Sequence, residues 1–144
     1  MADYKDASPK YWDEYNNFQH QKHGLIRKYL QGWFPKLGLK KEVTGLIYVD
    51  THAGRGRHSG GQEGSPLVAL NTILNHDHIT QILARKRLQN VSMVFIERDA
   101  ENYEALRQEL SQITRPPKLN VWPRKGDSFG LLDGISDRLA RQVP

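Results

Sequence analysis

Residues 45–56 read GLIYVDTHAGRG, an apolar run that ends in an acid and passes into a turn containing two glycines. The run Gly45–Asp50 is too short for a helix and rich in strand formers, so it predicts a buried parallel strand. Residues 51–64 hold five glycines, which predicts a loop. Ser65 and Pro66 suit the start of the next helix, with Ser65 as its capping residue.

The pattern of an apolar strand followed by an acid recurs twice further along the chain. Val91–Glu97 ends in a carboxylate, and Asp99 can cap the helix that follows. Leu119–Trp122 predicts a third strand, which leads to Asp127. Strands that alternate with helices predict an α/β fold, here a Rossmann-like parallel sheet with right-handed crossovers.

Apolar residues at helical spacing predict the other elements. The first helix covers 17–37 and is expected to bend or end near Gly32 and Pro35. Further helices are predicted from Ser65 to about Asn75, at 79–88, from Asp99 to the prolines at 116–117, and at 131–139. Residues 1–16 are expected to form a flexible arm, so the predicted domain spans 17–144.

Composition excludes several classes of protein. The chain has 144 residues and no cysteine, which excludes a disulfide framework, a thiolate zinc site and a cysteine nucleophile. A chain without cysteine suits a reducing compartment, and we expect a cytoplasmic protein. No apolar run approaches the ~20 residues that span a bilayer, so no membrane association is expected. The net charge of +5 leaves a weak attraction to nucleic acid open.

In an open parallel sheet, ligands bind beyond the carboxyl ends of the strands, where Asp50, Glu97 and Asp127 are expected. Glycines in the first turn let a ligand approach the backbone closely. A dinucleotide site is disfavoured because Ser59 stands where the third glycine of its fingerprint belongs, and no P-loop is present. An acid ahead of the glycines favours a cationic ligand such as S-adenosylmethionine (SAM).

Each strand-end acid has a predicted role and a structural alternative. Glu97 would accept hydrogen bonds from the ribose hydroxyls, or act only as a charge at a helix start. Asp127 would accept from the adenine amino group, with Phe129 or Trp122 over the ring, or form an Asx turn. Asp50 would face the cation, or cap its own turn.

The predicted cofactor-binding residues are Asp50, Thr51, Ala53, Gly54, Gly56, Glu97, Asp127, Ser128 and Phe129. Four residues of the first loop are candidates for contact with a substrate: His52, Arg55, Arg57 and His58. Histidine pairs alone do not indicate a metal site, so none is predicted. No catalytic residue is predicted.

The segment from Tyr48 to Arg57, with the Gly60-Gly61 pair and the run Glu63–Leu67, resembles the three-Cys-motif partner protein family. The segment Lys22–Phe34 is similar to that family's first helix. The glycine turn also resembles motif I of class I SAM-dependent methyltransferases, although His52 replaces an aromatic residue there. The resemblance implies a SAM-methyltransferase-like Rossmann sheet, SAM as cofactor, and a three-Cys-motif protein as partner.

In class I methyltransferases a fourth strand packs beside the first and supplies the acceptor-side motif. This chain ends about where that strand should begin, so we expect only the N-terminal half, with about three strands. The first strand would then be an exposed edge. Two functions follow: the cofactor half of a SAM-dependent methyltransferase, or a non-catalytic scaffold for a three-Cys-motif protein in a mobile-element or defence locus.

Overall fold

The computed structural model describes residues 16–127 and Gly130. Residues 1–15 of the predicted arm and the predicted helix at 131–139 lie outside this range, whereas Asn16 already belongs to the first helix. The elements in chain order are α1 (Asn16–Gly38), β1 (Gly45–Asp50), α2 (Ser65–Leu74), α3 (Ile79–Leu83), β2 (Asn90–Glu97), α4 (Ala100–Ser111) and β3 (Leu119–Lys125).

The three strands form one parallel sheet in the order β1-β2-β3. Asp50 pairs with Phe95 at the end of β1, and Glu97 pairs with Lys125 at the end of β2. The predicted α/β class and the three parallel strands are therefore confirmed. Among the strands of residues 16–127, β1 has a neighbour on one side only, as expected for an edge strand.

The apolar core surrounds the central strand β2. Helix α1 packs on α2, while α4 packs on β2 and β3. The largest wholly buried side chains come from all four helices, from β2 and from the segment before it: Leu30, Phe34, Leu67, Leu70, Ile73, Ile82, Leu88, Met93, Phe95, Ile96, Leu106 and Leu110. No helix within 16–127 is both long and apolar enough to cross a membrane.

Of the two outcomes predicted near Gly32 and Pro35, a bend or an end, the end does not occur: α1 continues to Gly38, one residue beyond the predicted range 17–37. Pro35 has no N–H, which leaves the carbonyl of Gln31 without its helical partner. The His76 imidazole takes that place, since its Nε2 lies 3.0 Å from the Gln31 oxygen. A tertiary hydrogen bond therefore replaces the one that proline removes.

Two element boundaries differ from prediction. Helix α3 stops at Leu83 rather than residue 88, because Arg85 turns back to donate to the carbonyls of Gly38, Lys41 and Val43. Strand β3 continues past Trp122 to Lys125, since its pairing with β2 extends that far.

Candidate functional site

The carboxyl ends of all three strands meet at one rim of the sheet. The loop after β1 joins β2 twice: Ala53 N–H donates to the Ile96 carbonyl at 3.0 Å, and Gly54 N–H to Glu97 Oε2 at 3.2 Å. The end of β3 joins it too, because Gly126 N–H donates to the Glu97 carbonyl at 3.0 Å. The glycine turn, Glu97 and the residue preceding Asp127 are thus held together.

Asp50 fastens both ends of the glycine-rich loop. Its Oδ1 accepts from His52 N–H at 3.0 Å, and its Oδ2 accepts from Ser65 Oγ at 2.9 Å. The prediction that Ser65 caps α2 is therefore wrong: Gly64 is the N-cap, and the Ser65 hydroxyl is committed to Asp50. Burial, with the Asp50 carboxylate nearby, raises the pKa of Tyr48 to about 12, so its phenol stays neutral.

Glu97 is half-buried and holds the beginning of α4 as well as the loop. Its Oε1 accepts from the N–H groups of Arg98 and Asp99 at 3.1 and 3.4 Å. Asp99 in turn caps α4, as predicted, by accepting from Asn102 N–H at 2.9 Å. A carboxylate can accept about four hydrogen bonds, and Glu97 accepts three, from the N–H groups of Gly54, Arg98 and Asp99. One position of Glu97 can therefore receive a further donor.

The two glycines of the first turn play different roles. Both have left-handed backbones, with φ of 76° at Gly54 and 87° at Gly56. A Cβ on Gly54 would meet no atom within 4 Å, so this backbone borders open space. A Cβ on Gly56 would touch Leu106 and Glu109 of α4 at 3.4 Å. Gly56 therefore allows the loop to pack closely on α4, whereas the Gly54 backbone is accessible to a ligand.

Two predicted substrate residues are turned onto α4. Arg55 Nε donates to Asn102 Oδ1 at 3.2 Å, and Arg57 Nε donates to Glu109 Oε2 at 3.0 Å. Both arginines are exposed, so the Arg57–Glu109 ion pair contributes at most about 1 kcal/mol to stability. Their contacts attach the loop to α4 and do not gather the substrate candidates into one cluster.

The other predicted residues are placed as follows. Thr51 Oγ1 lies 2.9 Å from the exposed His52 ring, and Ala53 is buried. Asp127 is exposed beside Gly126, and Trp122 carries the Arg124 guanidinium 4.9 Å from its ring centre. Ser128 and Phe129 lie outside the described residues. Residues 16–127 contain no group of three or more His, Asp or Glu side chains able to hold a metal ion.

Two cavities lie away from the strand-end acids. One of about 420 Å³ lies near the amino end of β3 and is lined by residues such as Ile79, Leu83 and Pro117. The other, of about 220 Å³, lies between α1 and the glycine-rich loop and is lined by polar side chains that include His23, Arg27, His58 and Glu63. Neither is lined by Asp50, Gly54 or Glu97. We call the second one the α1–loop hollow.

His23 is the residue that sequence analysis missed. Its side chain is only 6% exposed, and its Nε2 is buried with no hydrogen-bond partner among the described residues. Burial first, and then the positive charge of Arg27, lower its pKa to about 4. Burial and Arg55 also lower the pKa of His58. The only signal in the sequence is a pair of histidines, His20 and His23, three residues apart on a helix.

The lowered pKa of His23 predicts a loss of stability in acid. The imidazole titrates near 6.5 when unfolded and near 4 when folded, so folding favours its neutral form. This contribution is fully present above pH 6.5 and is lost as the pH falls from there toward 4. Up to about 3 kcal/mol of unfolding free energy is involved. We expect urea unfolding of His23→Gln to depend less on pH in this range than that of the wild type. Parallel curves for the two proteins would contradict this assignment.

Comparisons with protein-family models, with curated proteins and with solved structures found no match to this chain.

Proposed function

We propose that this chain binds SAM as the cofactor half of a methyltransferase-like domain of the three-Cys-motif partner type. One observation carries the proposal: Glu97, the acid that ends β2, accepts a hydrogen bond from Gly54, the glycine of the turn after β1. The two features that the cofactor needs, an acid for its ribose and an open backbone for close approach, are therefore in contact.

The residues present suit the chemistry of this cofactor. Glu97 has an acceptor position left for a ribose hydroxyl, and the Gly54 backbone borders open space. Asp50 supplies negative charge near the turn, while Arg55 and Arg57 are held on α4. When bound, SAM supplies a methyl group on a positively charged sulfur. In this proposal the chain's own residues bind and orient it, and the acceptor-side residues are not assigned.

Titration calorimetry with SAM and S-adenosylhomocysteine tests the proposal. We expect saturable binding to the wild type and a loss of about tenfold or more in Asp50→Asn, because a charge-assisted contact is removed. Ser65→Ala is the control: it removes the hydrogen bond between Ser65 and Asp50 but keeps the negative charge of the Asp50 carboxylate. It should therefore lose less affinity than Asp50→Asn. A flat titration of folded wild-type protein would overturn the proposal.

That negative result would favour the second function, a non-catalytic scaffold that docks a three-Cys-motif protein. Two features of the surface support it. Within residues 16–127, β1 leaves one edge of the sheet unpaired, and such edges are templates for association. On α1, Leu25 and Tyr29 are 69% and 60% exposed. Co-purification with a three-Cys-motif protein, without SAM binding, would establish the scaffold function.

A further inference from the structure

We propose that the α1–loop hollow binds an oxyanion, a carboxylate or phosphoryl group, through the His23 imidazole and the Arg27 guanidinium. The hollow is distinct from the strand-end acids, and the proposal does not depend on SAM. A chain that fails to bind the adenosine ligand can still bind an oxyanion here.

The first argument is the unpaired nitrogen of His23. Buried polar atoms are nearly always hydrogen-bonded, and leaving one unsatisfied costs about 1–3 kcal/mol. His23 is only 6% exposed, and it lines a cavity of about 220 Å³. At about 30 Å³ per water molecule, that volume admits a polar group larger than a single water. A ligand in the hollow would provide the missing partner.

The second argument is the sign of the charge around His23. The charged and titratable groups that act on it are cationic or imidazole: Arg27, His58, Lys22 and His20. The loop adds Glu63, but its Oε2 accepts from Asn71 Nδ2 at 2.7 Å, and α2 contributes the apolar Val68. A neutral imidazole that donates from Nε2, beside a guanidinium, suits a negatively charged oxygen. The surroundings therefore favour an anion over a cation.

Sulfate is the probe of choice because it does not titrate between pH 4 and 8. In NMR titrations at constant ionic strength, we expect saturable shifts of the His23 ring nitrogens. Arg27→Gln should weaken binding about tenfold, as expected for a charged hydrogen bond. Lys28→Gln is the matched control, since Lys28 is the next residue of the same helix, carries the same charge and is likewise exposed, but does not line the hollow. Its affinity should stay within about twofold of the wild type.

The pH dependence gives an independent readout. A bound anion favours the protonated imidazole, so sulfate affinity should rise as the pH falls from 7 toward 5. Glu63→Gln should strengthen binding by removing a negative charge from the wall. Repeating the titration with acetate identifies the source: tighter acetate indicates a carboxylate, and tighter sulfate a phosphoryl-like group. Non-saturating shifts, or equal losses in Arg27→Gln and Lys28→Gln, would overturn the proposal.

Discussion

Truncation of Phe95 to alanine should lower the free energy of unfolding by about 3–5 kcal/mol, the usual loss when a buried aromatic side chain is removed. Phe95 has no exposed surface and lies in β2, between the two other strands. Its ring also meets the Tyr48 ring edge-on at 6.3 Å. Because small domains have only about 5–15 kcal/mol of stability, this single change should remove a large part of it.

Urea unfolding followed by circular dichroism measures this loss. Trp122→Ala is the control, since it removes an even larger ring from the neighbouring strand β3 at a position that is 44% exposed. The Trp122 ring makes a cation–π contact with the Arg124 guanidinium, and an exposed contact of this type contributes about 0.5–1 kcal/mol. We therefore expect a loss of about 1 kcal/mol for Trp122→Ala. Equal losses in the two variants would show that β2 is not the centre of the core.

Gly64→Ala should destabilise the glycine-rich loop by about 1–3 kcal/mol, as overpacking does in a closed site. A Cβ at Gly64 would lie 2.8 Å from the carbonyl oxygen of Gly56 and 3.2 Å from its carbon. Both are backbone atoms, and the Gly64 N–H already donates to that same oxygen at 2.6 Å. The loop must shift to admit the methyl group. Ser65 follows directly, so its bond to Asp50 should also weaken.

Gly60→Ala is the matched control for Gly64→Ala. It lies in the same loop, its Cβ would meet no atom within 4 Å, and its φ is outside the left-handed region. Alanine there should be neutral or slightly stabilising, because it restricts the unfolded chain. Thermal unfolding of both variants checks the difference. If they unfold alike, the Gly56–Gly64 contact does not hold the loop closed.

The elements that sequence analysis predicted well are those with local causes. Strand β1 has the predicted bounds Gly45–Asp50, and Asp99 caps α4 as expected. The apolar run that predicts β1 is bounded by turn residues, and the Asp99 carboxylate stands just ahead of the free N–H groups of α4. Both signals extend over only a few residues, so they can be recognised from the sequence alone. The gathering of strand-end acids at one rim follows equally directly, once the strands are recognised as parallel.

The outcomes that the sequence left open or predicted wrongly depend on partners far along the chain. Helix α1 passes Pro35 because His76, forty-one positions later, bonds the carbonyl that proline leaves unpaired. Ser65 matches a capping residue in sequence, but Asp50 competes successfully for its hydroxyl. In both cases a tertiary hydrogen bond satisfies a polar group that the local sequence alone would leave unpaired or pair differently.

The sequence by itself determined the α/β class, the parallel strands, and the position of acids and glycines at the strand ends, since periodicity and turn chemistry are read locally. Only the tertiary structure decided which polar groups are used within the protein and which are left for a ligand. It turned Arg55 and Arg57 onto α4, left the Gly54 backbone open, and buried His23 beside a cavity. Burial and long-range hydrogen bonds create these differences, and neither is encoded in the spacing of residues.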